Sequence, residues 1–119
     1  MRTEPELKAL VIDDDAVVRQ LTMRALARGG FRCAAARDGV DASRQLNLET
    51  YDVIVSDLRM PNCNGHTLAV KVLSEAVRPG FVVLTGISNS KITNDLMMRG
   101  VDGIAGQINK DVFFGLNLL

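Results

Sequence analysis

The chain is short of several things, and each shortage removes a class of function. It has no excess charge of either sign: 14 lysines and arginines balance 14 aspartates and glutamates. A general nucleic-acid surface needs a basic surplus, so no direct nucleic-acid binding is expected. No apolar run approaches the roughly 20 residues that cross a bilayer. The opening, MRTEPELKAL, lacks the continuous apolar segment of a secretory signal. A cytoplasmic location without membrane association is the expectation. Cysteine is scarce: Cys33 and Cys63 are the only two, too few for a disulfide framework, and both are expected to be reduced. Cys63 and His66 form a C-x-x-H pair, but no other Cys or His lies nearby to complete a metal site. Packing for Cys63 and a helix start for His66 is the reading adopted. No repeat, low-complexity segment or linker stands out.

What is present fits one domain over residues 1–119. At 47% hydrophobic and 24% charged, the chain can bury an ordinary globular core. Short apolar runs alternate with longer amphipathic stretches. KALVI (8–12), RCAAA (32–36), DVIVSD (52–57), FVVLT (81–85) and DGIAG (102–106) read as strands. Between them lie helical patterns. The first, over 16–30, puts Val17, Leu21 and Leu26 on one face and stops at Gly29-Gly30. The second, over 39–48, is capped by Asp38 and has Val40, Ala42 and Leu46 on or near its apolar side. The third, over 66–77, turns Leu68, Val72 and Leu73 inward before Pro79-Gly80 breaks it. The fourth starts near Ser90, ends at Gly100, and has Ile92 and Leu96 inward with Met97 packed beside them and Met98 off that face. A last helix is expected over 111–119. Strands alternating with helices predict an α/β fold, a doubly wound flavodoxin-like (βα)5 with a five-stranded parallel sheet in the order 2-1-3-4-5. The strands lack strict polar alternation, as they should when both faces of a sheet are covered.

In that order strands one and three are neighbours. Asp13 and Asp14 close the first and Asp57 closes the third, so three carboxylates from distant stretches meet at one sheet edge. Without a counter-charge their pKa values are pushed upward. A hard divalent cation supplies it, and oxygen ligands suit Mg2+. Thr85 ends the fourth strand beside Gly86 and offers a hydroxyl. A carboxylate nucleophile, a metal and hydrogen-bond donors are the parts of phosphoryl chemistry. Asp15 reads as a helix cap, and Lys8, Arg19 and Arg37 as solvated charges.

VIDDDAVVR, DVIVSDLRMPNCNG, VVLTG and RGVDGI occur in this order. Together they resemble the receiver domain of two-component response regulators, from Lys8 to at least Ile104. The resemblance implies that Asp57 accepts a phosphoryl group from a phosphohistidine on a histidine kinase or histidine phosphotransfer protein. It implies that Asp14 binds Mg2+ directly, that Asp13 holds it mainly through water, and that the backbone carbonyl of Arg59 is a further ligand. Thr85 would hydrogen-bond the phosphoryl group and draw its loop inward. Output or homodimerisation would use the face made by helix four, strand five and helix five.

Two positions depart from the pattern. Ungapped alignment from Gly103 puts Gln107 where the family carries a lysine, with Lys110 as the rescue if the loop is longer. A glutamine donates hydrogen bonds but brings no charge. Ile104 stands where the family has an aromatic switch residue. A degenerate receiver acting as a phosphorylation-independent interaction module is therefore the second reading. A haloacid-dehalogenase-type phosphatase, with Asp13 as nucleophile and Asp15 as acid/base, is a third. A flavin or nucleotide binder on the same architecture lacks its glycine-rich loop after strand one.

Overall fold

The computed structural model describes residues 6–58, 65–85 and 90–106. Its elements run β1 (Leu7–Ile12), α1 (Ala16–Arg28), β2 (Phe31–Ala36), α2 (Gly39–Leu48), β3 (Val53–Asp57), α3 (Gly65–Leu73), β4 (Gly80–Thr85), α4 (Ser90–Met98) and β5 (Gly103–Gly106). The five strands form one parallel sheet in the order β2-β1-β3-β4-β5. This is the predicted topology. The expected helix over 111–119 lies outside the described residues.

Alternate residues of each strand feed two cores. Leu10, Ile12, Ile54, Phe81 and Val83 point to the side covered by α2, α3 and α4, where Ala42, Leu68, Val72 and Leu96 meet them. Ala9, Val11, Val55 and Leu84 point to the other side, where Leu26 and Met23 of α1 cover them. Burial on both faces explains the unbroken apolar strands. Phe81, Leu10, Ile12 and Ile54 are wholly enclosed, and each such side chain contributes about 1.5–3 kcal/mol of transfer free energy.

Local signals set the helix ends. Asp15 caps α1, its Oδ1 accepting from the N–H groups of Val17 (2.9 Å) and Val18 (3.2 Å). Asp38 caps α2 by accepting from Asp41 N–H at 2.8 Å. After α1 the chain turns through Gly30 at φ 95°, a conformation open to glycine at little cost. α3 stops at Leu73, four residues before the predicted end at 77, and the bonds Ser74 N–H to Val70 O and Glu75 N–H to Val72 O close it.

Three predicted core positions are corrected. Val17 and Val40 are 47% and 59% exposed, because each lies in the first turn of its helix, before that helix has closed on the sheet. Met97 is 63% exposed, since Ile92 and Leu96 alone fill the inward stripe of α4. Met98 is exposed as expected. Cys33 is free and half-buried, its Sγ near the carbonyls of Met23 and Phe31; Cys63 lies outside the described residues.

Candidate functional site

Strand register builds the site. Ile12 pairs with Ser56 across β1 and β3, so Asp13 and Asp57 stand at the same level at the carboxyl end of the sheet. Carboxylate oxygens of Asp13, Asp14 and Asp57 all lie within 4.8 Å of one another. Asp13 and Asp57 are buried and Asp14 is exposed, so two acids form the floor and one the mouth.

Asp13 is held from several sides. Its N–H donates to Ala36 O at 3.1 Å, extending the β1–β2 ladder by one step. Its Oδ1 accepts from Asp15 N–H at 2.9 Å, and its carbonyl oxygen accepts from Arg19 Nη1 at 2.8 Å. Its Oδ2 is buried and has no hydrogen-bond partner among the described residues. Burial is the largest influence on this carboxyl; the Asp15 N–H opposes it, and the charges of Asp57, Asp14 and Asp15 add to it. Together they push its pKa from 3.8 up to about 7. The sequence predicts the direction from repulsion among neighbours, but desolvation leads.

Strand β3 is fastened just as closely. Ser56, fully buried, donates its Oγ–H to Asp57 O at 2.9 Å. Gly65, the first residue of α3, donates its N–H to Leu58 O at 3.0 Å. A Cβ at position 65 would overlap the carbonyl oxygen of Asp57, so only glycine lets α3 begin this near the strand end.

Thr85 is the last residue of β4, one step beyond the Leu84 that pairs with Asp57. The strand end thus stands beside the acids; the Thr85 side chain lies outside the described residues. So do Arg59, Gln107 and Lys110. β5 stops at Gly106, paired with Thr85, immediately before Gln107. Ile104, half-buried, pairs with Val83 in the same ladder and packs against the main core.

Arg19 is the residue that sequence reading missed. It is half-buried against Asp13 rather than solvated. The signal was there: a cation near a helix N-terminus opposes the helix dipole, so it needs a local reason. Lys8 pairs with Glu49 at the far edge of the sheet, and Arg37 is exposed as expected.

A family model described as the response regulator receiver domain matches residues 9–112. The chain belongs to this family. The sensor histidine kinase RcsC of Salmonella typhimurium is 36% identical over 67 residues, which cover 56% of this receiver and 7% of RcsC. The DNA-binding transcriptional regulator NtrC of Escherichia coli is 32% identical over 79 residues, covering 66% of the receiver and 17% of NtrC. The receiver thus corresponds to a small part of either relative. Among solved structures, a response regulator receiver protein from Pseudomonas putida superposes with a TM-score of 0.81 at 21% identity, over 95% of this chain and 96% of that one. TrrA from Thermotoga maritima, solved in complex with Mg2+-BeF, gives 0.76 at 23% identity over 87% and 89%. These likenesses show the fold. Membership sets aside the dehalogenase-type phosphatase and the flavin binder. No described helix of the receiver is long and apolar enough to cross a membrane.

Proposed function

We propose that this receiver takes a phosphoryl group onto Asp57 from a phosphohistidine, on a histidine kinase or histidine phosphotransfer protein, and relays the change to a partner or output domain. The observation that carries the reading is the convergence of three carboxylates at the ends of two strands, one of which, Asp13, has a buried Oδ2 with no hydrogen-bond partner among the described residues. Such an oxygen in an acidic cluster fits a hard cation. Asp13, Asp14, Asp57 and the backbone carbonyl of Arg59 would hold it. A bound Mg2+ supplies positive charge against the three carboxylates and the incoming phosphoryl oxygens.

The residues of the chain do the rest. An Asp57 oxygen forms the new bond to phosphorus as the donor imidazole's N–P bond breaks, and the imidazole nitrogen leaves with the electron pair. Ser56 and Gly65 fix the Asp57 backbone, so the nucleophile is positioned before the donor arrives. Thr85 Oγ1 then hydrogen-bonds the transferred group, drawing the end of β4 inward. Gln107 takes the family lysine's place as a neutral donor, which leaves more of the charge to the metal. A cytoplasmic location suits this role, because the donor proteins work on that side of the membrane.

The test is incubation with Mg2+ and a small phosphodonor such as acetyl phosphate, read by intact mass and by the acid-stable, base-labile character of a phosphoaspartate. Wild type gains one phosphoryl group and Asp57→Asn gains none. Labelling that persists in Asp57→Asn overturns the assignment. The second reading, a receiver that works without phosphate, draws on Ile104 in the aromatic switch position of β5. It predicts no mass gain on wild type and gain on Gln107→Lys.

A further inference from the structure

His66 is the only histidine in the chain, and the phosphoacceptor chemistry does not use it. It follows Gly65, whose backbone is locked against Asp57 and Leu58. From there it reaches across to α4, where its Nε2 lies 2.8 Å from Asp95 Oδ2. The same oxygen accepts from Arg99 Nε at 2.9 Å, one turn on and just past the end of α4. A short path of packed and bonded groups therefore runs from the acceptor strand through Gly65 and His66 to Asp95.

The two bonds on that oxygen differ in kind. Arg99–Asp95 is an i,i+4 pair between α4 and the residue just past its end, and a guanidinium keeps its charge at any ordinary pH. His66–Asp95 joins two helices, and imidazole changes charge near neutrality. Protonation turns a hydrogen bond into an ion pair; deprotonation weakens the tie while Arg99 still holds Asp95. α4 then stays intact and only its attachment to α3 loosens.

Among the described residues the charged groups near the imidazole are few, and on β3 Asp57 stands beside the preceding Gly65. From α4 the imidazole meets Asp95, with Arg99 behind; Lys91 is exposed on the same helix. On α3 itself Lys71 lies more than a turn away and is exposed. β4 carries no charged residue, and on α2 Asp41 and Arg44 are paired with each other. Asp95 titrates below the ordinary carboxylate range, held there first by His66 and then by Arg99.

We propose that His66 is a proton-controlled latch between α3 and α4, which opposes movement of α4 when the acceptor site is filled. This rests on the receiver reading of Asp57, because the latch regulates the response to that site. Coupling of this kind is reciprocal, so low pH weakens filling of the site and filling of the site releases the proton. The latch spans two helices through half-exposed groups, so a modest effect is expected.

The experiment uses the full chain with Mg2+ and beryllofluoride, a phosphoryl mimic, followed by backbone amide NMR from pH 8 to pH 6. The half-saturating beryllofluoride concentration rises about two- to fivefold more in wild type than in His66→Gln over that range. The contribution of Asp13, which also titrates there, is common to both proteins and cancels. Amides of α4 shift in step with the single imidazole signal in wild type and stop doing so in His66→Gln. Asp95→Asn reproduces the smaller pH dependence of His66→Gln and serves if His66→Gln fails to fold. Equal pH dependence in wild type and both variants overturns the latch. If beryllofluoride binds none of the proteins, the acceptor reading fails, while the α4 titration in the free protein still decides whether the His66 tie exists: loss of the shifts in either variant upholds it, and their persistence overturns it.

Discussion

Aspartates stand at both ends of this sheet, and the two ends treat them in opposite ways. At the amino edge, Asp52 and Asp102 each precede a strand and reach sideways to the first N–H groups of a neighbour. Asp52 Oδ2 accepts from Lys8 N–H at 2.7 Å, and Asp102 Oδ2 accepts from Phe81 N–H at 2.7 Å and from Arg78 Nη1 at 2.8 Å. At the carboxyl edge, Asp13 and Asp57 are buried beside each other and beside the exposed Asp14. Partial burial raises the Asp102 carboxyl, but Arg78 and the Phe81 N–H outweigh it and the net shift is downward. Burial and like charge push Asp13 upward. The amino edge uses its acids to hold strands in register. The carboxyl edge gathers three carboxylates at a cost in stability, as the proposed cation and phosphoryl site requires.

The largest effect that tests this contrast is on phosphate acceptance. Asp57→Asn should abolish it, while Asp102→Ala, an acid of the same sheet at the other end, should leave it at the wild-type level. A large loss of acceptance in a folded Asp102→Ala protein would break the division of labour.

Stability comes next, and its sign should reverse between the edges. The folded pKa of Asp13 lies near 7, above its unfolded value near 3.8. The native state then binds the proton more tightly, and stability falls as pH rises from about 4 to about 7. In buffer free of divalent ions at pH 8, Asp13→Asn should stabilise the fold by on the order of 4 kcal/mol, following about 1.4 kcal/mol per pKa unit. Adding Mg2+ should raise the denaturation midpoint of wild type and not that of the variant. A variant less stable than wild type under these conditions would show that Asp13 serves the fold.

Asp102 should behave in the opposite sense and more weakly. Its folded pKa lies below 3.8, so its contribution is present above about pH 4 and is lost as pH falls through the depressed value. Asp102→Ala should cost about 1 kcal/mol at pH 7, allowing for a half-exposed carboxylate that loses a strand N–H and an arginine. Urea denaturation at pH 7 and pH 3 checks it: the difference between the two proteins should shrink at the lower pH.

How much of this was legible before the structure differs between the edges too. The strand order and the meeting of Asp13, Asp14 and Asp57 followed from apolar runs ending in acid, because a parallel sheet collects all its strand ends on one side. The helix caps at Asp15 and Asp38 were equally readable, since capping is a local interaction. The strand-binding roles of Asp52 and Asp102 were not. Both read as the first residues of their strands and look like any polar strand end, and their partners, Lys8 and Phe81, are distant in sequence. The place of Arg19 near a helix N-terminus hinted at a local role, but its target is a backbone carbonyl, which leaves no trace in residue types. His66 was placed at a helix start, one residue late, but its partner Asp95 lies 29 positions away. The exposed Val17 and Val40 show the limit of periodicity at a helix's first turn, where the stripe has begun but the neighbour it would pack on has not.

The smallest effect separates the amino edge into its own parts. Lys8 is held there twice, by its backbone N–H on Asp52 and by its Nζ on Glu49. The first bond fixes the start of β1 in the sheet. The second joins two side chains that are 32% and 43% exposed, where solvent and salt screen the attraction and ordering two long side chains offsets much of it. Lys8→Met should therefore leave the urea midpoint unchanged within error at 0.15 M salt, because the backbone bond to Asp52 survives the substitution. Asp52→Ala should lower it measurably. If the order were inverted, with Lys8→Met the more damaging, the amino edge would owe its strength to surface charge pairs, and the contrast with the carboxyl edge would have to be drawn on net charge instead of on backbone capping.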